Sequence, residues 1–389
     1  MKVLHTADWH VGGTLHRHQR LEEAEAVLSE VVEIAQAEEV DLALVCGDVY
    51  EHFAPSAEAE RIVYKTLLAL SSAGIRVIVV AGNHDYARRL IAVQELLRAV
   101  NVYVAAEPRR PEEGGLIEIT SRGNGEVAQV AVLPWVAERS LFGAEEMMGL
   151  QPEPFQAYAE QVPRLLGALC RPFDPKKISI LAGHLFVSGS KLGGGERELT
   201  IGQIFAINAA ALPTSPQYIA LGHVHRPQDV PGAAIPARYA GSTLQMDFGE
   251  VDQTKSVTIV ELSPGRPAQV REVPLTRGKR LVDVRVAHAD LQGARGADDG
   301  AFARVFLECE GPQPGLVDDV RDVLPNAVEV RLEYERQDPE RRAVDLRHLK
   351  PGELFKRYYH ERHGAEPSER LTKLFAELFE EVVNAPAAD

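Results

Sequence analysis

Apolar positions along this chain switch between a period of two and a period near 3.6, and the switching predicts alternating strands and helices. Val3 to Thr6 reads as a strand. Leu21 to Ala37 reads as a helix with Leu21, Leu28, Val31 and Ala35 on one face, and Leu42 to Val45 as a second strand. The order repeats: an amphipathic stretch from Glu58 to Leu70 leads into Val77-Ile78-Val79-Val80, a continuous β-branched run of the kind buried on both faces of a sheet. Shorter strands follow at Leu116 to Ile119, Val127 to Leu133, Ile178 to Leu181, Tyr218 to Leu221, Arg238 to Ala240 and Ser256 to Leu262, with a helical segment around Pro154 to Leu169. Residues 1–268 therefore read as one layered α/β domain, punctuated at its end by Gly265-Arg266-Pro267. Leu281 to Val286, Ala303 to Glu308, the helix Leu316 to Val323 and Val328 to Leu332 make a second, small α/β unit over 276–337. The charged stretch Glu335 to Arg342 reads as a linker to two final helices, Gly352 to Glu361 and Ser368 to Val383, within a helical region at 345–384.

Composition sharpens this outline without redirecting it. The chain has 389 residues, 45% hydrophobic and 25% charged, which fits a multidomain globular protein. No apolar run approaches the ~18 residues that cross a bilayer, and Asp8 and His10 arrive before any signal-peptide h-region builds, so a cytoplasmic location is expected. Three scattered cysteines, Cys46, Cys170 and Cys309, are expected as small core residues rather than a disulfide framework. Forty-two Lys and Arg against 57 Asp and Glu leave a formal charge of −15, which excludes a surface that grips nucleic acid all round. A polyanionic substrate would need bound cations, a local basic patch or a partner subunit to offset that repulsion.

Chemistry concentrates in five short polar motifs, each just past the C-terminal end of an expected strand: Asp8-Trp9-His10, Gly47-Asp48, Gly82-Asn83-His84-Asp85, Gly183-His184 and Gly222-His223-Val224-His225. In an open α/β sheet the strand C-termini are where ligands bind, so five such loops converge on one crevice. Carboxylate, imidazole and amide oxygen make a mixed N/O donor set suited to Mn²⁺, Fe²⁺ or Zn²⁺ without thiolate, and the number of donors suits two ions. A lone histidine after a strand is commonly a hydrogen-bonded structural residue. Five motifs in this order leave chance little room.

The motifs resemble the pattern of the calcineurin-like metallophosphoesterases, Asp-x-His, Gly-Asp, Gly-Asn-His-Asp/Glu, His and Gly-His-x-His, with all five parts present in order. The likeness extends over nearly the whole chain to bacterial DNA-repair nucleases that work with an SMC-like ABC ATPase. It implies a β-sandwich flanked by helices, with a small α/β capping domain and a C-terminal helical hairpin. It also implies that Asp48 bridges two metals, that Asp8, His10 and His225 complete one site, and that Asn83, His184 and His223 complete the other. His84 would bind no metal but stabilise the transition state or protonate the leaving oxygen, with Asp85 orienting its ring. The implied activity is a Mn²⁺-dependent 3′-to-5′ exonuclease on duplex ends and an endonuclease on single strands or hairpins, gated by the ATPase and ATP, in a homodimer.

Around this core the sequence offers further candidates. Tyr50, His52 and Phe53 lie beside the Asp48 loop as possible DNA contacts, and His5, His16, Arg17 and His18 as a small basic cluster. Leu192-Gly193-Gly194-Gly195-Glu196-Arg197 departs from the acidic, serine-rich family pattern and reads as a mobile loop. Trp9, between two ligands, is expected to wedge the loop by packing. In the terminal helices, Leu354, Phe355, Tyr358 and Tyr359, with Leu371, Leu374, Phe375, Leu378, Phe379 and Val382 at helical spacing, form an apolar stripe suited to docking on the ATPase. Two competing readings stand beside the nuclease: a small-molecule phosphodiesterase with the same metal core, and an inactive scaffold subunit.

Overall fold

The computed structural model describes residues 1–16, 18–150, 158–196, 206–334, 351–363, 367–368 and 370–375. The chain divides into two compact units, Met1–Tyr334 and Glu335–Asp389. In the first, the strands β1 (Lys2–Thr6), β2 (Leu42–Cys46), β3 (Arg76–Val80) and β4 (Val102–Ala105) run parallel, and β10 (Ser256–Glu261) and β11 (Gln269–Pro274) add to the β1 edge antiparallel, giving the order β11-β10-β1-β2-β3-β4. A second six-stranded sheet has β5 (Leu116–Thr120), β6 (Val127–Leu133), β7 (Ile178–His184), β8 (Tyr218–Gly222) and β9 (Ala237–Tyr239) in the order β9-β8-β7-β6-β5, with a two-residue strand, Gln228–Asp229, on the outer edge of β9.

Alternation along the strands builds the layers. Leu42, Leu44, Ile78 and Val80 of the first sheet meet Val130, Ile180, Tyr218 and Ala220 of the second in a fully buried seam. The intervening residues Ala43, Val45, Val77 and Val79 face outward under α1 (Leu21–Ala37), α2 (Ala57–Ser72) and α3 (Ala87–Arg98). Ala131, Leu181, Ile219 and Leu221 do the same for the second sheet under α4 (Glu138–Met147) and α5 (Tyr158–Cys170). The result is a β-sandwich with helices on both outer faces. It explains why the β-branched run at 77–80 reads as continuous, since a residue on either face of β3 is buried.

The 281–333 region forms a three-stranded parallel sheet, β12 (Leu281–Ala287), β13 (Phe302–Glu308) and β14 (Ala327–Glu333), covered by α6 (Leu316–Val323). It has its own core, with Ala303, Val305, Leu307, Val320 and Leu324. Leu15, from the loop after β1, and Phe248, from the segment before β10, pack with its Leu281, Phe302 and Val328. Glu30 of α1 reaches the connecting segment, accepting from the Thr276 and Arg277 amides at 3.0 Å and from the Thr276 hydroxyl at 2.7 Å.

One expectation is corrected and three elements are added. The first sheet does not end at residue 268: Gly265-Arg266-Pro267 is a hairpin turn, and β11 carries the sheet to Pro274 in register with β10. The pattern also missed α3, α4 and β4 altogether. In the second unit, α7 (Pro351–His363) is followed by a helical stretch at 370–375, and the Phe355 and Phe375 rings stack at 4.3 Å between centroids and 5° between planes. Those two rings are spent on each other, whereas Leu354, Tyr358 and Leu374 are exposed. The linker 335–342 and the expected stripe residues Leu378, Phe379 and Val382 lie outside the described residues.

Candidate metal centre

Strand ends from both sheets bring their loops to one place. Past β1 the chain turns through Asp8 and His10, past β2 through Asp48, and past β8 through His223. All four hold positive φ (50°, 45°, 48° and 100°), a backbone state that non-glycine residues seldom adopt and that clusters where a site is over-determined by its surroundings. Backbone bonds lock the turns together: the Asp8 amide donates to the Gly47 carbonyl at 3.0 Å and the His10 amide to the Asp48 carbonyl at 2.9 Å. Two glycines are required by close approach. A Cβ at Gly47, itself at φ 91°, would lie 2.0 Å from His184 Nδ1, and one at Gly222 would lie 1.7 Å from the Cys46 carbonyl oxygen.

The side chains then form two groups around one shared carboxylate. His10, Asp48 and His84 each offer a ligand atom within 4.8 Å of the others, and so do Asp48, His184 and His223. Asn83 Oδ1 sits between His184 Nε2 (3.0 Å) and His223 Nδ1 (2.9 Å), placing an amide oxygen in the second group. Asp8 is adjacent, its two oxygens accepting from the His223 amide at 3.0 and 3.1 Å, and His225 packs edge-on against His10 with ring centroids 4.8 Å apart.

Charge and hydrogen bonding fit a cation here. His10 Nδ1 meets Glu51 Oε2 at 2.7 Å, while its Nε2, 3.7 Å from Asp48 Oδ2, is buried with no hydrogen-bond partner, the condition of a ligand nitrogen aimed at an ion. His184 Nδ1 donates to the Cys46 carbonyl at 2.9 Å, which leaves Nε2 for the centre. Burial opposes ionisation of His184 and of His225, yet Asp48 and Asp8 raise the former to about 9 and Glu250 and Asp8 the latter to about 9. Burial likewise pushes Asp48 up, but His184, His10 and His84 hold it well below the usual carboxylate range. A buried site whose carboxylates stabilise this much positive charge is suited to divalent ions. His84 differs: burial brings it down to about 4, against the pull of Asp48, so its ring is neutral near pH 7.

Asp85 does not orient the His84 ring. Its carboxylate is consumed by the Val49, Tyr50 and Gly82 amides at 3.3, 3.1 and 2.9 Å, so that it ties the Asp48 loop to the Asn83 loop. The His84 ring is instead fixed by the Glu51 carbonyl, 2.9 Å from Nδ1. Tyr50 is buried to 1% exposure and offers no face to a substrate; a backbone bridge to Val11 holds it in. His52 and Phe53 are exposed beside the centre, and Phe53 lies 6.4 Å from the Tyr86 ring. His5 leaves the basic cluster, buried between the Tyr218 hydroxyl and the Leu221 carbonyl. His16 and His18 are exposed, and Arg17 lies outside the described residues. Trp9 is buried, its indole N–H on Thr6 Oγ1 at 3.0 Å. The 193–196 segment is not a loose loop: Glu196 accepts from the Gly193, Gly194 and His225 amides.

Sequence reasoning missed Glu51, Glu196, Glu250 and Trp135, the last stacked on the His223 ring at 5.2 Å. For the three glutamates no spacing rule links carboxylate to imidazole across 25 to 41 residues.

The sequence model of the calcineurin-like phosphoesterases matches residues 1–227. The chain belongs to that family. Among the relatives of this phosphoesterase is the SbcD protein of the nuclease SbcCD of Bacillus subtilis, 33% identical over 97% of both chains. The SbcD of Rhodobacter capsulatus is 33% identical over 71% of this chain and 70% of its own, and that of Escherichia coli K12 is 28% identical over 80% and 78%. The phosphoesterase is a metal-dependent hydrolase of the nuclease branch, and its His/Asp groups are its candidate divalent-metal donors. Among the described residues no helix is long and apolar enough to cross a membrane.

Proposed function

We propose that this protein is the nuclease subunit of an SbcCD-type DNA-repair complex: a cytoplasmic, Mn²⁺-dependent 3′-to-5′ exonuclease on duplex ends and endonuclease on single strands and hairpins. The observation that carries the reading is the gathering of five strand-end motifs around Asp48, with a buried His10 Nε2 left for a ligand. In this reading Asp8, His10 and His225 hold one ion, Asn83, His184 and His223 the other, and Asp48 both. When bound, the ions polarise the phosphodiester and offset the charge that builds in an in-line displacement. The chain's own contribution is geometric and protonic. The loops that Asp85 ties together fix the donors, and the bond from His84 Nδ1 to the Glu51 carbonyl leaves Nε2 for proton transfer. A phosphodiester's negative charge beside that ring raises its proton affinity toward what a general acid needs.

The remaining assignments are of the same kind. Residues 276–337 act as a cap that restricts which DNA enters, and 345–384 dock on SbcC, for which the exposed Leu354, Tyr358 and Leu374 are suited. A homodimer would cover Leu68 of α2 and Leu96 of α3, which are 44% and 73% exposed. The test is cleavage of end-labelled duplex and hairpin DNA in Mn²⁺, with and without SbcC and ATP, beside bis-p-nitrophenyl phosphate. Cutting that responds to the ATPase supports the proposal. Hydrolysis of the small ester alone would mean that the metal core serves another substrate, and no hydrolysis with metal and partner present would return the chain to a scaffold.

A further inference from the structure

The glycine run at 193–195 carries no chemistry of its own, yet it closes against His225, whose ring, amide and carbonyl are each held by a buried side chain. His225 Nδ1 meets Glu250 Oε1 at 3.3 Å. Glu250 is fully buried, and its other oxygen accepts from the Met246 amide at 2.9 Å and from Lys255 Nζ at 2.7 Å. Lys255, also buried, donates to the His225 carbonyl at 2.8 Å and to Gln253 Oε1 at 3.0 Å. Glu196 takes the His225 amide at 3.0 Å, together with the Gly193 and Gly194 amides at 2.8 Å each. A Cβ at Gly193 would lie 2.7 Å from Glu250 Oε1 and one at Gly195 3.0 Å from His225 Nδ1, so only a chain without side chains can close over the pair. A buried carboxylate and a buried amine each lose much hydration, so each needs the several hydrogen bonds it has here.

We propose that Glu250, Glu196 and the glycines they hold are positioning residues for His225, and that they set the affinity of one cation site and not the other. The proposal rests on the two-ion reading above. An acceptor at Nδ1 keeps the ring proton there, leaves the Nε2 lone pair for an ion, and makes the ring a stronger donor. In the second site His184 differs: its Nδ1 is backed by the neutral Cys46 carbonyl.

The test is Mn²⁺ binding to metal-free full-length protein, followed by calorimetry and by the electron paramagnetic resonance signal of the free ion, for wild type, Glu250→Gln and Gly195→Ala. Wild type is expected to take two equivalents. In each variant one equivalent should weaken 10- to 100-fold, the usual cost of losing a residue that orients a metal ligand, while the other keeps its wild-type affinity. General loosening of the fold would weaken both, and that result, or no change in either, overturns the proposal. Gly195→Ala keeps both Glu250 and Lys255 and presses its methyl on His225 and on the Glu250 oxygen that faces it, and so decides the matter if Glu250→Gln does not fold. A wild type that takes up no Mn²⁺ would defeat the two-ion reading itself, and this proposal with it.

Discussion

His5 offers a perturbation whose size follows from its surroundings. The ring is fully buried on β1, with Nδ1 3.0 Å from the Tyr218 hydroxyl and Nε2 3.1 Å from the Leu221 carbonyl. Burial, helped by the nearby Arg238 charge and opposed by the Leu221 hydrogen bond, brings its pKa from 6.5 to about 3. The unfolded chain therefore takes up a proton that the folded chain refuses. Stability from this residue is complete above pH 6.5 and falls as the pH drops toward 3, by about 1.4 kcal/mol per unit. At pH 5 the loss is about 2 kcal/mol, a large share of the stability of an ordinary domain. His5→Gln keeps a donor for Leu221 and cannot titrate. Urea unfolding of metal-free wild type and variant at pH 7.5, 6.5, 5.5 and 5.0 cancels every other titrating group in the difference. That difference should be flat above pH 6.5 and shift in favour of the variant below it. A difference independent of pH would refute the reasoning.

Other consequences are open to direct measurement. His84→Gln should keep both metal equivalents, since the amide of the introduced side chain can still serve the Glu51 carbonyl, and lose 10² to 10⁴ in the rate of ester hydrolysis; loss of a metal equivalent would make His84 a ligand instead. Asp48→Asn should erase the thermal stabilisation that Mn²⁺ gives wild type, about 2.7 kcal/mol per site at a hundred times its Kd. Gly222→Ala should leave little soluble protein, because its methyl would enter the Cys46 carbonyl on the facing sheet. Truncation after Arg342 should abolish co-purification with SbcC while ester hydrolysis continues; persistent binding would remove the helical region from the interface.

What the sequence made legible and what it hid divide on physical lines. Strands such as β3 and β8 announce themselves because both faces are buried and nearly every position is apolar. Helix α3 does not, since only Leu90 and Leu97 are buried among its charged residues, and β4 has four residues with two at the core. The metal-facing side chains were readable because their chemistry is rare and their place after a strand is local. The carboxylates behind them were not, because Glu250 is joined to His225 only by the way the chain folds back. Glycines 193–195 were misread as slack for the same reason: sequence shows that a side chain is missing, not what occupies the space it would have filled. Asp85 was misassigned by adjacency, since neighbours in sequence on a tight turn point apart.

The antiparallel attachment of β10 to β1 has a kinetic meaning. The strand that opens the chain lies between β2, which follows closely, and β10, which is made more than 250 residues later. At ribosomal speeds of roughly 5–20 residues per second, the edge of β1 waits on the order of ten seconds to a minute for its second neighbour. Throughout that interval an apolar strand edge stands unpaired, the state in which nascent chains pair wrongly or aggregate. Since Glu250 arrives only just ahead of β10, the interval ends soon after the last glutamate behind a ligand has been synthesised. Expression at low temperature or with holdase chaperones should therefore raise the yield of this protein more than that of a helical protein of equal length.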